Sequence, residues 1–337
     1  MIPLPSFDGP LAAALGSLPL LLTALAVDAA VGDRLGRFLP DPAALAGRAA
    51  AWGDRRLNRI ERGPSARTLR GALLVLAILL AAAALGALVG WIGDHGRGWA
   101  LELLLLLSVL RGREAWNRIR AVRRALEAGG LSAGQEAVGP LTRRHAFSLD
   151  AHGVARAAVE QAGRAFVRRI AGPVFGYLLL GMPGLLVWAA SAGVDAAIGS
   201  PGVRHGGFGR AAARLDDALY AVPARLAGLL LALAGAFVGP GGPLGAVAGA
   251  LRTVARDARK HASFNMGWPA AALAGGLGLA LGGPHRDGGV TITEPWIGGG
   301  RARATPADIG RALAMAALAE LLLVGGIALS MAVIAGL

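Results

Sequence analysis

The chain has 337 residues, of which 55% are hydrophobic and only 16% are charged, so it exceeds the roughly 45–50% apolar share of soluble domains and predicts an all-α integral membrane protein. Its formal net charge of +13 comes almost entirely from arginine, because Lys260 is the only lysine; basic groups interleaved with apolar segments disfavour nucleic acid and favour anionic lipids or phosphorylated ligands. The absence of cysteine from the sequence excludes disulfides, thiolate nucleophiles and cysteine-ligated metal centres.

Several apolar segments are long enough to cross a bilayer, for which about 20 residues are needed. Four segments meet that length: 11–31, 71–92, 172–198 and 312–336. The shorter segments 99–110 and 268–282 are expected to be re-entrant, broken or protein-buried helices. We therefore predict about four to six transmembrane helices in a single membrane domain, multi-pass in the inner (plasma) membrane.

Two polar, arginine-rich stretches at about 32–70 and 111–171 interrupt the apolar sequence. Cytoplasmic loops carry an excess of basic residues, so both stretches are predicted to be cytoplasmic, with 71–110 a hairpin that returns to the same face. The second stretch begins with a basic amphipathic helix, whose apolar stripe is Ala115, Ile119, Val122 and Leu126. Gly129-Gly130 should end it. It could lie at the membrane interface or cover neighbouring helices as a solvated helix.

A polar string at 208–226 lies between membrane-grade apolar segments, where ionisable groups usually mark a site. On a helix, three of its side chains share one face: Arg210, Arg214 and Asp217. Pro223 should break that helix and place Arg225 at the membrane edge. The adjacent carboxylates Asp216 and Asp217, flanked by arginines, could hold a hydrated Mg²⁺ and its phosphates. They could equally form an ion-paired helix end.

A second polar string at 257–269 follows after one further apolar stretch. Helical spacing places three side chains on one face: Asp257, Lys260 and His261. Ser263 and Asn265 then predict a turn before Pro269, a favoured first residue of a helix. Free backbone N–H groups at such a helix start could cradle a phosphate or carboxylate, although an ordinary capped helix has the same pattern.

These strings resemble the CobD/CbiB family of integral-membrane cobalamin-biosynthesis proteins, the adenosylcobinamide-phosphate synthases. The resemblance runs from about Ala26 to Leu323, and its most specific blocks are Leu215-Asp216-Asp217 with Pro223-Ala224-Arg225, and Lys260-His261-x-Ser263-x-Asn265. It also includes Gly153-Val-Ala-Arg156-Ala-Ala-Val-Glu160 and Asp195-Ala-Ala-Ile-Gly199. The resemblance implies an ATP-dependent amide ligation, in which adenosylcobyric acid joins aminopropanol or its phosphate.

The resemblance further implies ATP and Mg²⁺ as cofactors, a corrinoid substrate, and contact with other cobalamin-assembly enzymes. From residue type, Asp216 and Asp217 would position the metal or phosphate. Substrate and phosphate contacts would come from Glu160, Asp195, Arg210, Arg214 and Arg225. The catalytic group would be Lys260, His261, Ser263 and Asn265. If ATP is the co-substrate, both strings should be cytoplasmic, which requires that 172–198 does not cross the membrane simply.

The chain departs from the family pattern at several acidic and basic positions. Asp41-Pro42 stands where the family has His-Pro, and Arg164 and Arg168 stand at the two acidic positions of Glu-Asn-x-x-Asp. A guanidinium in place of a carboxylate reverses the sign of any metal contact. A non-catalytic relative that binds corrinoid or nucleotide is therefore an alternative, and an unrelated membrane transporter is a further one.

Overall fold

The computed structural model describes residues 10–59, 61, 63–94, 98–142, 144–200, 202, 204–287 and 290–335. Within them the chain forms twelve α-helices and four short strands. The helices are α1 (Pro10–Leu35), α2 (Pro42–Leu57), α3 (Pro64–Gly93), α4 (Trp99–Val109), α5 (Gly112–Val138), α6 (Ala151–Phe166), α7 (Gly172–Ile198), α8 (Arg210–Leu219), α9 (Ala221–Val238), α10 (Gly242–Asp257), α11 (Gly267–Leu277) and α12 (Pro306–Ala335). The strands are β1 (Leu281–Gly282), β2 (His285–Asp287), β3 (Val290–Ile292) and β4 (Trp296–Ile297), paired antiparallel as β1–β4 and β2–β3.

This architecture confirms the prediction of an all-α membrane protein. Four helical segments are long and apolar enough to cross a bilayer: Pro64–Gly93, Ala151–Ile198, Ala221–Val238 and Pro306–Val333. The third was not predicted as a span, because Pro223 and Arg225 interrupt its apolar sequence. A proline in the first turn of a helix costs little, since the N–H that it lacks would have no helical partner there. The predicted break occurs just before the proline, where α8 ends at Leu219 and α9 begins at Ala221.

The chain divides into two compact units. The first comprises the described residues of Met1–Arg111, Arg168–Tyr220 and Gly326–Leu337. Its core includes buried Ala50, Ile198 and Phe208 from α2, α7 and the loop before α8. Small residues allow close backbone contacts there: a Cβ added at Gly193 would lie only 1.8 Å from the carbonyl oxygen of Ala43 on α2.

Helix α7 is a hairpin of two helical arms rather than one straight helix. Gly181 has φ 64° and ψ −144°, a conformation that interrupts the helix and that glycine adopts most readily. A Cβ at Gly184 would lie 1.9 Å from the carbonyl oxygen of Gly176, whereas residues eight positions apart in a continuous helix are about 12 Å apart. The segment 172–198 therefore turns back on itself. If both polar strings are cytoplasmic, this segment must not cross the membrane as a single straight helix, and the hairpin meets that requirement.

The second unit comprises Gly112–Val167 and the described residues of Ala221–Gly325. Helix α5 breaks at Gly130, with φ 68°, as the Gly129-Gly130 pair predicts. Its buried face carries Trp116, Ile119 and Val122, so in the described structure the amphipathic stripe packs on protein. Helix α11 is short and almost wholly buried against α9, α10 and α6, which confirms the expected protein-buried helix in 268–282.

Candidate functional site

The predicted site residues divide between the two units. The first unit contains Asp195, Arg210, Arg214, Asp216 and Asp217; the second contains Glu160, Arg225, Lys260, His261, Ser263 and Asn265.

The centre of the first set is Arg168, a residue that the sequence marked only as a departure from the family pattern. It lies in a π-helical turn at Val167–Ala171, a rare feature that is frequent at functional sites. Its Nη1 donates to Asp216 Oδ1 at 2.5 Å and its Nη2 donates to Asp216 Oδ2 at 2.7 Å. Nη2 also donates to Asp195 Oδ2 at 3.4 Å. Arg168 therefore binds Asp216 in the bidentate geometry that guanidinium and carboxylate favour.

Neighbouring polar and aromatic groups complete this cluster. The Ser191 hydroxyl donates to Asp216 Oδ1 at 3.2 Å, and the Arg168 guanidinium lies 4.5 Å from the ring centroid of Tyr220. The Tyr220 hydroxyl donates to the carbonyl oxygen of Trp188 at 3.0 Å. Burial raises the pKa of the Tyr220 phenol, so it stays protonated and keeps donating this bond.

The residues of this cluster do not fit a magnesium ion shared by Asp216 and Asp217. Both carboxylate oxygens of Asp216 already accept hydrogen bonds from Arg168. Burial and the neighbouring Asp195 raise the pKa of Asp217, which disfavours the charged form that binds a metal. Among the described residues, no group of three or more His, Asp or Glu side chains is arranged to hold a metal ion. The metal role of the pair stays a prediction that this geometry disfavours.

A second departure from the family pattern contacts the same π-helical turn. Asp41 caps the start of α2, where its Oδ1 accepts the N–H groups of Ala43 and Ala44. Its Oδ2 accepts a hydrogen bond from Arg169 Nη1 at 2.9 Å and lies 3.8 Å from Arg111 Nη1. The negative charge of Asp41 is thus complementary to the positive charge of Arg169 in the π-helical turn. Arg210 and Arg214, by contrast, are exposed on α8, and their phosphate-binding role stays a prediction.

In the second unit, Asp257 is a buried anchor for the end of α10. Its carboxylate accepts two hydrogen bonds from Arg256, at 2.9 and 2.7 Å, and one from the N–H of Gly298 at 2.8 Å. Lys260 Nζ lies 2.7 Å from its Oδ1. Hydrogen bonds from Arg256 and Lys260 hold the pKa of Asp257 well below its usual range. Lys260, predicted to be catalytic, is therefore ion-paired, although 48% of its side chain is exposed.

The Lys260-His261-x-Ser263-x-Asn265 block forms the predicted turn before a helix. The chain leaves α10 through a 3₁₀ turn at Ala258–Lys260, and α11 begins at Gly267. His261 Nδ1 accepts the N–H of Ser263 at 2.8 Å, and Ser263 Oγ accepts the N–H of Met266 at 3.4 Å. Asn265 is buried within this turn. The turn thus fixes the imidazole of His261 against its own backbone.

His261 lines a small cavity, and Glu160 contacts two other residues that line it, Arg144 and Gly282. Arg144 Nη2 lies 3.1 Å from Glu160 Oε2 and donates to Glu294 Oε2 at 2.7 Å. The N–H of Gly282 donates to Glu160 Oε1 at 2.8 Å. Arg144, His261, Gly282 and Glu294 line a cavity of about 20 Å³, enough for about one water molecule. Arg144 and Glu294 could not be selected from the sequence because 150 residues separate them.

Arg225, near the end of the first string, contacts two aromatic residues of the second string within the second unit. Its guanidinium lies 5.0 Å from the ring centroid of Phe264 and 4.6 Å from that of Trp268. Both aromatic residues belong to the second string, and such cation–π contacts stabilise a guanidinium without neutralising it. The two rings therefore fix the position of the Arg225 guanidinium, and its phosphate-binding role stays a prediction.

Comparison with known proteins gives consistent matches over most of the chain. The family model described as CobD/Cbib protein matches residues 21–316. A relative from a Sinorhizobium species named "Cobalamin biosynthesis protein CobD" is 38% identical over 305 residues, which cover 88% of this chain and 93% of the relative. Proteins of the same name from Brucella suis and Rhodobacter capsulatus are 36% and 33% identical over 303 residues, covering 88% of this chain and 92% and 91% of the relatives. No solved structure matches the chain.

Proposed function

This chain belongs to the CobD/CbiB family of cobalamin-biosynthesis proteins, and on that premise we propose that it is an adenosylcobinamide(-phosphate) synthase. The proposed reaction joins a propionate of adenosylcobyric acid to the amine of aminopropanol or of its phosphate, with hydrolysis of ATP. The observation that carries the proposal is the match itself, which continues through both polar strings and covers 88% of the chain.

The geometry adds support because residues of both strings form fixed polar clusters. A ligase of this kind must bind a carboxylate, an amine and the phosphates of ATP. In the second unit Arg225, held by two aromatic rings, is a charge suited to phosphate. In the first unit the exposed Arg210 and Arg214 are charges of the same kind. His261, beside Glu160 and Arg144, offers a neutral polar group suited to the reacting acyl oxygen.

ATP would supply the driving force, since joining a carboxylate to an amine formally releases water. Asp216 is poorly placed to bind a magnesium ion in this reaction, because Arg168 binds both of its carboxylate oxygens. The four candidate spans are those of a membrane protein. We propose that it lies in the inner (plasma) membrane and that ATP reaches it from the cytoplasm.

A second candidate function is a non-catalytic relative that binds corrinoid or nucleotide. The Arg168–Asp216 ion pair favours it, because an acidic motif residue is paired with an arginine at a position where the family has a carboxylate. In this alternative the protein would have the family fold and bind corrinoid or nucleotide, but it would not catalyse the ligation.

Genetic complementation separates the two candidates. The chain is expressed in a bacterium that lacks its own synthase and needs cobalamin to grow, supplied with cobyric acid. Growth is the expected result, and His261→Ala should abolish it, whereas His145→Ala, at an exposed histidine outside the cavity, should not. Cobinamide supplied to the same strain controls for uptake and the later steps. Absence of growth on cobyric acid alone, with the protein present in the membrane, would overturn the synthase proposal.

A further inference from the structure

The two nitrogen atoms of His261 have different surroundings. Nδ1 faces the backbone of its own turn, where the N–H of Ser263 points at it from 2.8 Å. The carbonyl oxygen of Ser263 lies farther away, at 3.3 Å. Nε2, on the opposite edge of the ring, makes no hydrogen bond to any residue that the structure describes.

The Ser263 contact fixes the tautomer of the neutral ring. A backbone N–H can only donate, so the nitrogen that receives it must carry a lone pair. A proton on Nδ1 would face the Ser263 hydrogen across 2.8 Å and would have only the longer contact to the carbonyl oxygen. Neutral His261 therefore carries its proton on Nε2.

Burial keeps the ring neutral near pH 7. Burial lowers the pKa of His261, while the carboxylates of Glu160 and Glu294 oppose that change and the Arg144 guanidinium supports it. The two carboxylates are themselves paired with Arg144, and His285 Nδ1 lies 3.8 Å from Glu294 Oε2. These groups face His261 from α6, from the loop before it and from the strand region.

We propose that His261 acts as a hydrogen-bond donor through Nε2, and that it binds an oxygen atom of the ligand rather than removing a proton from it. The chemistry that it recognises is an acceptor oxygen, which could belong to the acyl group of the corrinoid side chain or to a phosphate. Since Nε2 of this tautomer has no lone pair to accept a proton, a general-base role would need the Ser263 contact to break. Among the described residues Glu160 is paired with Arg144 and Gly282, and no hydrogen bond joins it to His261.

The tautomer is tested without any substrate. The protein is labelled with ¹⁵N-histidine in lipid nanodiscs, and His261→Gln identifies the His261 signals by their loss. We expect a protonated Nε2 and an unprotonated Nδ1 near pH 7. A protonated Nδ1 with a bare Nε2, or an imidazolium, would overturn the inference. This measurement stands whether or not the proposed ligase activity is found.

The role of His261 Nε2 as a hydrogen-bond donor is tested by three variants of His261, and this second experiment rests on the proposed function. Gln carries an N–H near the position of Nε2, whereas Asn carries one near Nδ1 and Ala carries none. We expect His261→Gln to retain about tenfold to a hundredfold more activity than His261→Ala or His261→Asn, the range of one hydrogen bond to a charged oxygen. The KM that rises in His261→Ala, for corrinoid or for ATP, identifies the source of the oxygen.

A general base gives a different result. All three variants would then lose activity equally, and the rise of kcat/KM with pH that deprotonation of His261 causes would vanish in His261→Gln. That outcome overturns the donor role. Thermal unfolding of each variant by tryptophan fluorescence separates a loss of fold from a loss of function.

Discussion

Replacement of Arg168 by methionine should be among the most destabilising single changes in the first unit. Arg168 and Asp216 are exposed by only 13% and 2% of their side chains. Removing one member of a buried ion pair leaves an uncompensated charge and costs about 3–5 kcal/mol. Asp216 would keep only its hydrogen bond from Ser191. We expect R168M to lower the free energy of unfolding by about 3–5 kcal/mol.

The double variant R168M/D216L separates a charge effect from a packing effect. Buried ion pairs replaced by apolar residues of similar size are often neutral or stabilising, so the double variant should recover most of the loss. R214M, at an exposed arginine on the same helix as Asp216, is the matched control and should change stability by no more than about 0.5 kcal/mol.

Stability of R168M should also depend on pH in a definite direction. Burial already raises the pKa of Asp216, and Arg168 opposes that rise; without Arg168 the folded-state pKa lies further above the unfolded value of about 3.9. A raised folded-state pKa of an acid gives stability at low pH that is lost as the pH rises through it. The penalty of R168M should therefore shrink between about pH 7 and pH 5.

Thermal unfolding in detergent, followed by the fluorescence of the seven tryptophans, measures these effects. At roughly 2 °C per kcal/mol, R168M should lower Tm by about 6–10 °C. A loss below about 1 kcal/mol, or a double variant as unstable as R168M, would refute the reasoning, because the ion pair would then be replaceable by solvent.

Three further predictions concern the hairpin, the Asp257 anchor and the side of the membrane on which the two strings lie. G184A should prevent stable folding, because its Cβ would lie 1.9 Å from a backbone oxygen of the facing arm, whereas G325A, with nothing within 4 Å, should leave Tm unchanged or raise it. D257N should lower Tm at neutral pH, and the difference from the parent should begin to shrink as the pH falls below about 4, since a depressed folded-state pKa gives stability that is lost progressively as the pH falls from the unfolded pKa towards the folded one. In this cysteine-free chain, A218C and A262C, at exposed positions of the two strings, should both react with a membrane-impermeant maleimide only in inside-out vesicles; labelling of either from the periplasmic side would contradict a common cytoplasmic location.

Much of the fold could be predicted because composition and segment length determine it. The segment 71–92 lies within a candidate span, 312–336 overlaps another as far as Val333, and the short helix in 268–282 is buried as expected. The predicted span 11–31 is not among the candidate spans found in the described residues. The hairpin in 172–198 could only be inferred conditionally. Its break depends on Gly181, and 52 glycines in the sequence offer no local sign of which one adopts a positive φ.

The candidate sites were harder to predict for a different physical reason. Sequence spacing groups Asp257 with Lys260 because they lie on one helical turn, and they do form an ion pair. It cannot group Arg168 with Asp216, which are 48 residues apart and meet only after the chain has folded back. The available signal was an arginine at an acidic position of the family pattern, directly before the apolar segment 172–198, since a charge beside such a segment needs a partner.

The hairpin has a consequence for how this part of the chain enters a membrane. Arg168, just before α7, and Asp195, near its end, are 27 residues apart yet only 3.4 Å from each other; a straight helix would separate them by about 40 Å. Turning back at Gly181 therefore brings opposite charges together at the base of the hairpin. With the arms apart Arg168 could still pair with Asp216, but the Asp195 carboxylate would lose its arginine beside the apolar sequence of the hairpin. The two arms should therefore insert together rather than in sequence.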